Sequence, residues 1–124
     1  MRDDKPNLIV DLTFQFALDL SMICDELDKL KKFRLSNQLF GSGTSIGANV
    51  REAQNAESKE DFIHKMKIAA KEADETICWM MSCNEFLVLP SFPELLQKTQ
   101  RIMKILSKII ATSKAARQHE NLKI

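Results

Sequence analysis

Apolar residues recur along the chain in steps of three and four, without runs of strict alternation. The first series is Leu12, Phe16, Leu20, Ile23, Leu27 and Leu30, the spacing of one helix face, and it predicts a helix over residues 8–33. Val10, Phe14, Ala17 and Leu18 widen the stripe, so this helix is expected to bury more than one face. Its last turn holds Lys29, Lys31 and Lys32, which suit the negative end of a helix dipole. Ser58-Lys59-Glu60-Asp61 has the form of a capping box, in which the hydroxyl takes an orphan amide and the acid reaches back. It opens a helix over 59–89 carrying Phe62, Met66, Ala69, Ala73, Ile77, Met80 and Met81. Pro90 and Pro93 stop that helix, because proline cannot continue the hydrogen-bond ladder. A last helix over 93–118 sets Leu95, Leu96, Ile102, Ile105, Leu106, Ile109 and Ile110 on one side, and 119–124 reads as a frayed tail.

The remaining segment, 36–55, contains every glycine of the chain: Gly41, Gly43 and Gly47, among Ser42, Thr44, Ser45 and Ala48. Two readings fit. Either 41–44 is a loop and a helix begins at Thr44 or Ser45, or one helix runs through and its small residues let a neighbouring backbone approach. Three glycines cost a helix about 2–3 kcal/mol relative to alanine, which close contact must return. Gln38, Ser45 and Asn49 would then be buried or interfacial polar groups that need partners. Four helices with short connections predict an all-α, antiparallel up-down-up-down four-helix bundle, one domain over 1–124.

Composition agrees with that class. The chain has 124 residues, 44% hydrophobic and 28% charged, enough for one core and too short for two. No apolar run approaches the length of a membrane span. Acids at Asp3 and Asp4 break the basic-then-apolar order of a signal peptide. Cys24, Cys78 and Cys83 are an odd number within apolar periodic segments, the usage of free thiols in a reducing cytosol. A cytoplasmic protein with no membrane association is expected.

Gly43-Thr44-Ser45-Ile46-Gly47 spells G-x-S-x-G, the pattern of a hydrolase nucleophile elbow. The elbow needs a strand before the serine and an acid and histidine after it. Here "RLSNQLFGS" precedes Gly43, and the only histidines are His64, in a helix, and His119, in the tail. The glycines also lack the lysine of a phosphate loop. A di-iron bundle needs two Glu-x-x-His motifs, and only Asp61-x-x-His64 comes near. Cys78 and Cys83 project about 140° apart on a helix and cannot share a metal. No enzymatic activity, cofactor or metal is expected.

The residues Gln38, Thr44-Ser45-Ile46-Gly47-Ala48-Asn49-Val50-Arg51-Glu52-Ala53, Ser58, Asp61-Phe62, Lys65, Ile68-Ala69, Glu72 and Glu75 form a long pattern. It resembles the signature of the bacterial four helix bundle protein family, also called the S23 or 23S rRNA intervening-sequence protein family. The likeness spans nearly the whole chain; Ala53 departs from it where many relatives carry glycine. The resemblance implies a left-handed up-down-up-down bundle assembling as a cyclic homopentamer, without enzymatic activity. It also implies kinship with the accessory protein of diversity-generating retroelements, which binds a reverse transcriptase and nucleic acid. On this view Gln38, Ser45, Gly47, Asn49, Glu52, Asp61, Phe62, Glu72 and Glu75 are structural signature residues. Leucine at Gly47 is expected to disturb bundle closure or subunit packing.

Charge adds one further candidate. Net charge is +1, yet residues 57–89 carry 4 basic and 7 acidic groups and residues 90–124 carry 7 and 2. Arg101, Lys104 and Lys108 step by three and four on the side opposite Ile102, Ile105 and Ile109. Repeated around a ring, that stripe would attract a polyanion such as RNA or DNA. No aromatic residue is interleaved to stack on bases, and pairing with the acidic third helix explains the asymmetry equally well. Two functions follow as expectations. One is a homo-oligomeric scaffold for a protein or RNA partner, and the other is a nucleic-acid-binding accessory factor using the fourth-helix stripe.

Overall fold

The computed structural model describes residues 7–86 and 89–122, with side chains outside 83–86. Four helices follow one another: α1 Leu8–Lys29, α2 Phe33–Ala53, α3 Lys59–Phe86 and α4 Phe92–Leu122. The described residues form no strand, and the expected all-α bundle is what the chain adopts.

Helix ends follow from local chemistry. Asn7 caps α1, its side-chain oxygen accepting from the Val10 amide at 3.4 Å. α1 stops four residues short of the expected 33 because Lys31 turns left-handed, with φ of 60°. The Lys32 amide donates back to Leu27 and the Lys31 amide to Asp28, both at 2.9 Å, which closes the end of the helix. α2 therefore begins at Phe33 rather than 36. Ser58 Oγ accepts from the Asp61 amide at 3.0 Å, the hydroxyl half of the predicted capping box. α3 ends at Phe86, short of 89, and Leu87 and Val88 lie outside the described residues. α4 corrects the expected frayed tail over 119–122: it stays helical to Leu122, and Lys59 reaches across from α3 to Glu120 at 2.8 Å, while residues 123 and 124 lie outside the described residues.

Neighbours in sequence are neighbours in space, and α4 closes the square against α1. Across each seam residue numbers fall on one helix as they rise on the other, which makes the bundle antiparallel. Asn7 meets Gln54 and Cys24 meets Ser36 between α1 and α2. Ser42 meets Thr76 and Glu52 meets Lys65 between α2 and α3. The core holds Phe16, Leu20, Leu27, Leu39, Ile46, Met66, Phe92, Ile102 and Leu106, all at most 2% exposed. Buried hydroxyls of Thr13, Thr76 and Thr99 each donate at 2.8 Å to the carbonyl four residues back, so none is left unpaired in the apolar interior.

α2 is one uninterrupted helix, and no glycine in it has positive φ, so the loop reading of 41–44 does not hold. The three glycines do different work. A methyl group on Gly43 would overlap the Leu20 Cδ2 methyl, with Phe16 Cε1 at 3.5 Å. Gly47 faces Thr13, where a methyl would sit 3.4 Å from its nearest neighbour, an ordinary contact. Gly41 meets nothing within 4 Å. Alanine at Gly41 should therefore raise stability by about 1 kcal/mol through helix propensity alone. Thermal unfolding checks it; a lower melting temperature would mean that another molecule covers this position.

Candidate interaction surfaces

The wide apolar stripe of α1 does not face one core. Phe16, Leu20 and Leu27 point inward, whereas Phe14 is 55%, Leu18 48% and Met22 69% exposed. This corrects the expectation that Phe14 and Leu18 widen the buried face. Two residues along a helix is about 200° of rotation, so Phe14 must lie nearly opposite Phe16. The outward series Phe14, Leu18, Met22 keeps steps of four and forms a second, uncovered apolar row. That rotation is the signal in the sequence that sets these residues apart from the core series.

α2 continues this surface. Its Phe33 and Phe40 are exposed as well. Val10, Phe14 and Ala17 of α1 with Thr44, Gly47, Ala48 and Arg51 of α2 line a groove of about 130 Å³. The Arg51 guanidinium stands 5.8 Å from the centre of the Phe14 ring, within cation–π range. The groove has the size of one or two inserted side chains, and its small-residue wall permits close approach of another helix. Gly47 thus helps to shape an outer groove, while Gly43 carries the tight contact inside the bundle.

The other signature residues do not converge on a reactive centre. Ser45 lies half-buried in the middle of α2, so the strand-to-helix turn of a nucleophile elbow is missing. The Asn49 side-chain amide donates to the Ser45 carbonyl at 2.9 Å, bonding within its own helix. Glu52 pairs with Lys65 across α2 and α3 at 3.1 Å. Asp61 and Phe62 are half-buried at the start of α3, and Phe62 packs against the core. The Glu72 carbonyl takes the Thr76 hydroxyl, and Glu75 is exposed with the Trp79 indole nitrogen 3.5 Å away. Gln38 is exposed, so of the two expected placements, buried or interfacial, the buried one does not hold. Cys24 sits against Ser36, and burial pushes its thiol pKa up, partly countered by the Ser36 hydrogen bond. Cys78 is exposed, and Cys83 lies outside the described side chains.

α4 presents Arg101, Lys104 and Lys108 on its outer face, all exposed, as their spacing predicts. Pairing with the acids of α3 does not account for them. Among the described residues the ion pair between these helices is Lys59–Glu120, and Arg101, Lys104 and Lys108 take part in none. Between α1 and α4 lies a second groove of about 240 Å³, edged by Asp19, Met22, Glu26 and Glu94. Lys98 spans it, 2.8 Å from Asp19 and 3.6 Å from Glu94, and its hydrogen bond to Asp19 holds its pKa above the usual lysine value.

The sequence profile of the 23S rRNA-intervening sequence proteins matches residues 5–108. The chain belongs to the 23S rRNA-intervening sequence protein family. A solved relative, a protein of unknown function from the S23 ribosomal protein family of Bacteroides thetaiotaomicron, is 37% identical, with a TM-score of 0.78. That similarity covers 82% of this chain and 97% of the relative. No curated protein matches. The matched family segment contains α1 to α3 and the first half of α4 as far as Lys108, and therefore both outer faces described above. No described helix is long and apolar enough to cross a membrane.

Proposed function

We propose that this 23S rRNA-intervening sequence protein is a non-enzymatic, homo-oligomeric helical scaffold that holds a macromolecular partner. The observation that carries the reading is the outer α1–α2 face: an apolar row of Phe14, Leu18 and Met22 beside Phe40 and a groove walled by Gly47 and Ala48. Aligned large apolar side chains left in water mark a surface that another protein covers. A second copy is the partner always present at matching concentration, and closed rings of identical chains are a common way to cover such a face. The family resemblance sets the expected number of copies at five. Native mass spectrometry of the purified protein tests this: a fivefold multiple of the 14.2 kDa chain is expected. A monomer at micromolar concentration would remove the self-assembly.

A second reading, a nucleic-acid-binding accessory factor, is favoured by the α4 stripe, whose cations have no acidic partner among the described residues. Phosphate contacts supply most sequence-independent affinity for nucleic acids and make it fall with salt. Lys104→Glu with Lys108→Glu should abolish binding to a labelled RNA duplex in fluorescence anisotropy at low salt. Unchanged binding would rule the stripe out as the contact.

A further inference from the structure

The cations of α4 do not end at Lys108. One turn and a half further on, Lys114 and Arg117 lie on the flank of α4 that faces α3. The Lys59–Glu120 pair sets the antiparallel register of that seam. Moving inward from it by about two turns on each helix brings Lys67 of α3 opposite Lys114. The Lys67 ammonium is a like charge beside Lys114, and it, followed by Arg117, pushes the Lys114 ammonium below its usual pKa. Lys71 follows Lys67 by one turn on α3 and is exposed. Like charges held together gain nothing from each other. Among the described residues none of these four cations is in an ion pair.

The surface between them is smooth. Ala111, Thr112 and Ala115 are the exposed residues of α4 between Lys108 and Arg117 other than the cations, and all three are small. The carboxylates on the same side of α3 are Glu60 and Asp74, at the two ends of the cluster, and neither is in an ion pair among the described residues. From Lys104 to Lys114 the cations extend about 15 Å along α4, and α3 adds a second row roughly 8–10 Å away. An acidic peptide would need apolar anchors as well as charge, because exposed ion pairs alone contribute little. This patch offers none. A phosphodiester backbone needs only cations and a surface it can approach, since its affinity comes from released counterions.

We infer that Lys67, Lys114 and Arg117 form a phosphate-binding notch across the α3–α4 seam, which extends the outer α4 stripe into a two-helix contact for nucleic-acid backbone. The inference rests on the second reading above, that this face meets nucleic acid, and goes beyond it in adding α3 and the seam. Contact there is through phosphates, so it is independent of base sequence.

The test uses the full chain and a short mixed-sequence RNA duplex, with anisotropy followed across a salt series. Lys67→Gln with Lys114→Gln should leave the fold and melting temperature intact and flatten the plot of log affinity against log salt by about two units of slope. Lys67→Arg with Lys114→Arg should keep the slope. A duplex of different sequence should bind equally. Slope and affinity unchanged in the Gln variant, with binding still abolished by Lys104→Glu and Lys108→Glu, would overturn the notch and leave the α4 reading standing. Failure of the unaltered protein to bind any duplex would remove both. Equal competition by polyglutamate at matched charge would overturn the choice of nucleic acid over an acidic protein.

Discussion

Leucine in place of Gly43 should destabilise the bundle by about 3 kcal/mol or more, or prevent it from folding, despite the better helix propensity of leucine. Even the first added carbon overlaps Leu20 Cδ2, and Leu20 is fully buried, so it has no water-filled space to swing into. Phe16 closes the other side at 3.5 Å. Overpacking of this kind forces rotamers or backbone to shift, and a domain whose whole stability is about 5–15 kcal/mol tolerates little of it. The control is a double substitution. Leu20→Ala alone should cost about 2–5 kcal/mol by leaving a cavity. Combined with Gly43→Leu it should cost less than the two separate losses together, by about 1–3 kcal/mol, because the new side chain fills the space the old one left. Urea unfolding of the four proteins measures this coupling. Additive losses would mean that Gly43 and Leu20 do not share one site.

The second large effect concerns assembly. Leu18→Glu with Met22→Glu should convert the proposed oligomer to a 14.2 kDa monomer while far-UV circular dichroism stays helical. Both side chains already stand in solvent, so charge there costs the isolated bundle almost nothing. In a protein interface the same carboxylates would be buried without a partner, at several kcal/mol each. Light scattering distinguishes the outcomes. An oligomer that survives both substitutions would place the subunit contact elsewhere and leave the α1 row to a different partner. Loss of helicity would instead mean that these residues hold the monomer together.

Much of this architecture is legible in the chain. Phe16, Leu20, Ile23 and Leu27 sit at three- and four-residue steps, which is enough to place α1 and its inner face, and all four are buried. Pro90 and Pro93 mark the α3–α4 turn through the backbone donor they lack. What periodicity does not reveal is which apolar residues remain uncovered. Phe14 and Leu18 look like core residues until the 200° rotation from their neighbours is considered. Nor does a glycine in sequence disclose what faces it: Gly41, Gly43 and Gly47 look alike, yet one meets solvent, one a buried leucine and one a groove. The left-handed Lys31 was equally hidden, since that conformation normally calls for glycine. The Lys67–Lys114 approach needs two helices in register, information that no local pattern carries.

The seams differ in what keeps them aligned. α2 is tied to α1 through Ser36 and Gln54, and to α3 through Ser42 and Glu52, while its Gly43 seats Leu20. α4 packs through buried Phe92, Leu95, Ile102 and Leu106. Its polar ties to its neighbours, however, are exposed ion pairs at Lys98 and Glu120, and its Thr99 hydroxyl donates to the Leu95 carbonyl of its own helix. At the polar level, register at α4 thus rests on the exposed pairs of Lys98 and Glu120, and its other outer residues are free of that duty. The rest of the exposed face of α4 can change without retuning the bundle. Substitutions at Gly43 or Ser42 have no such latitude.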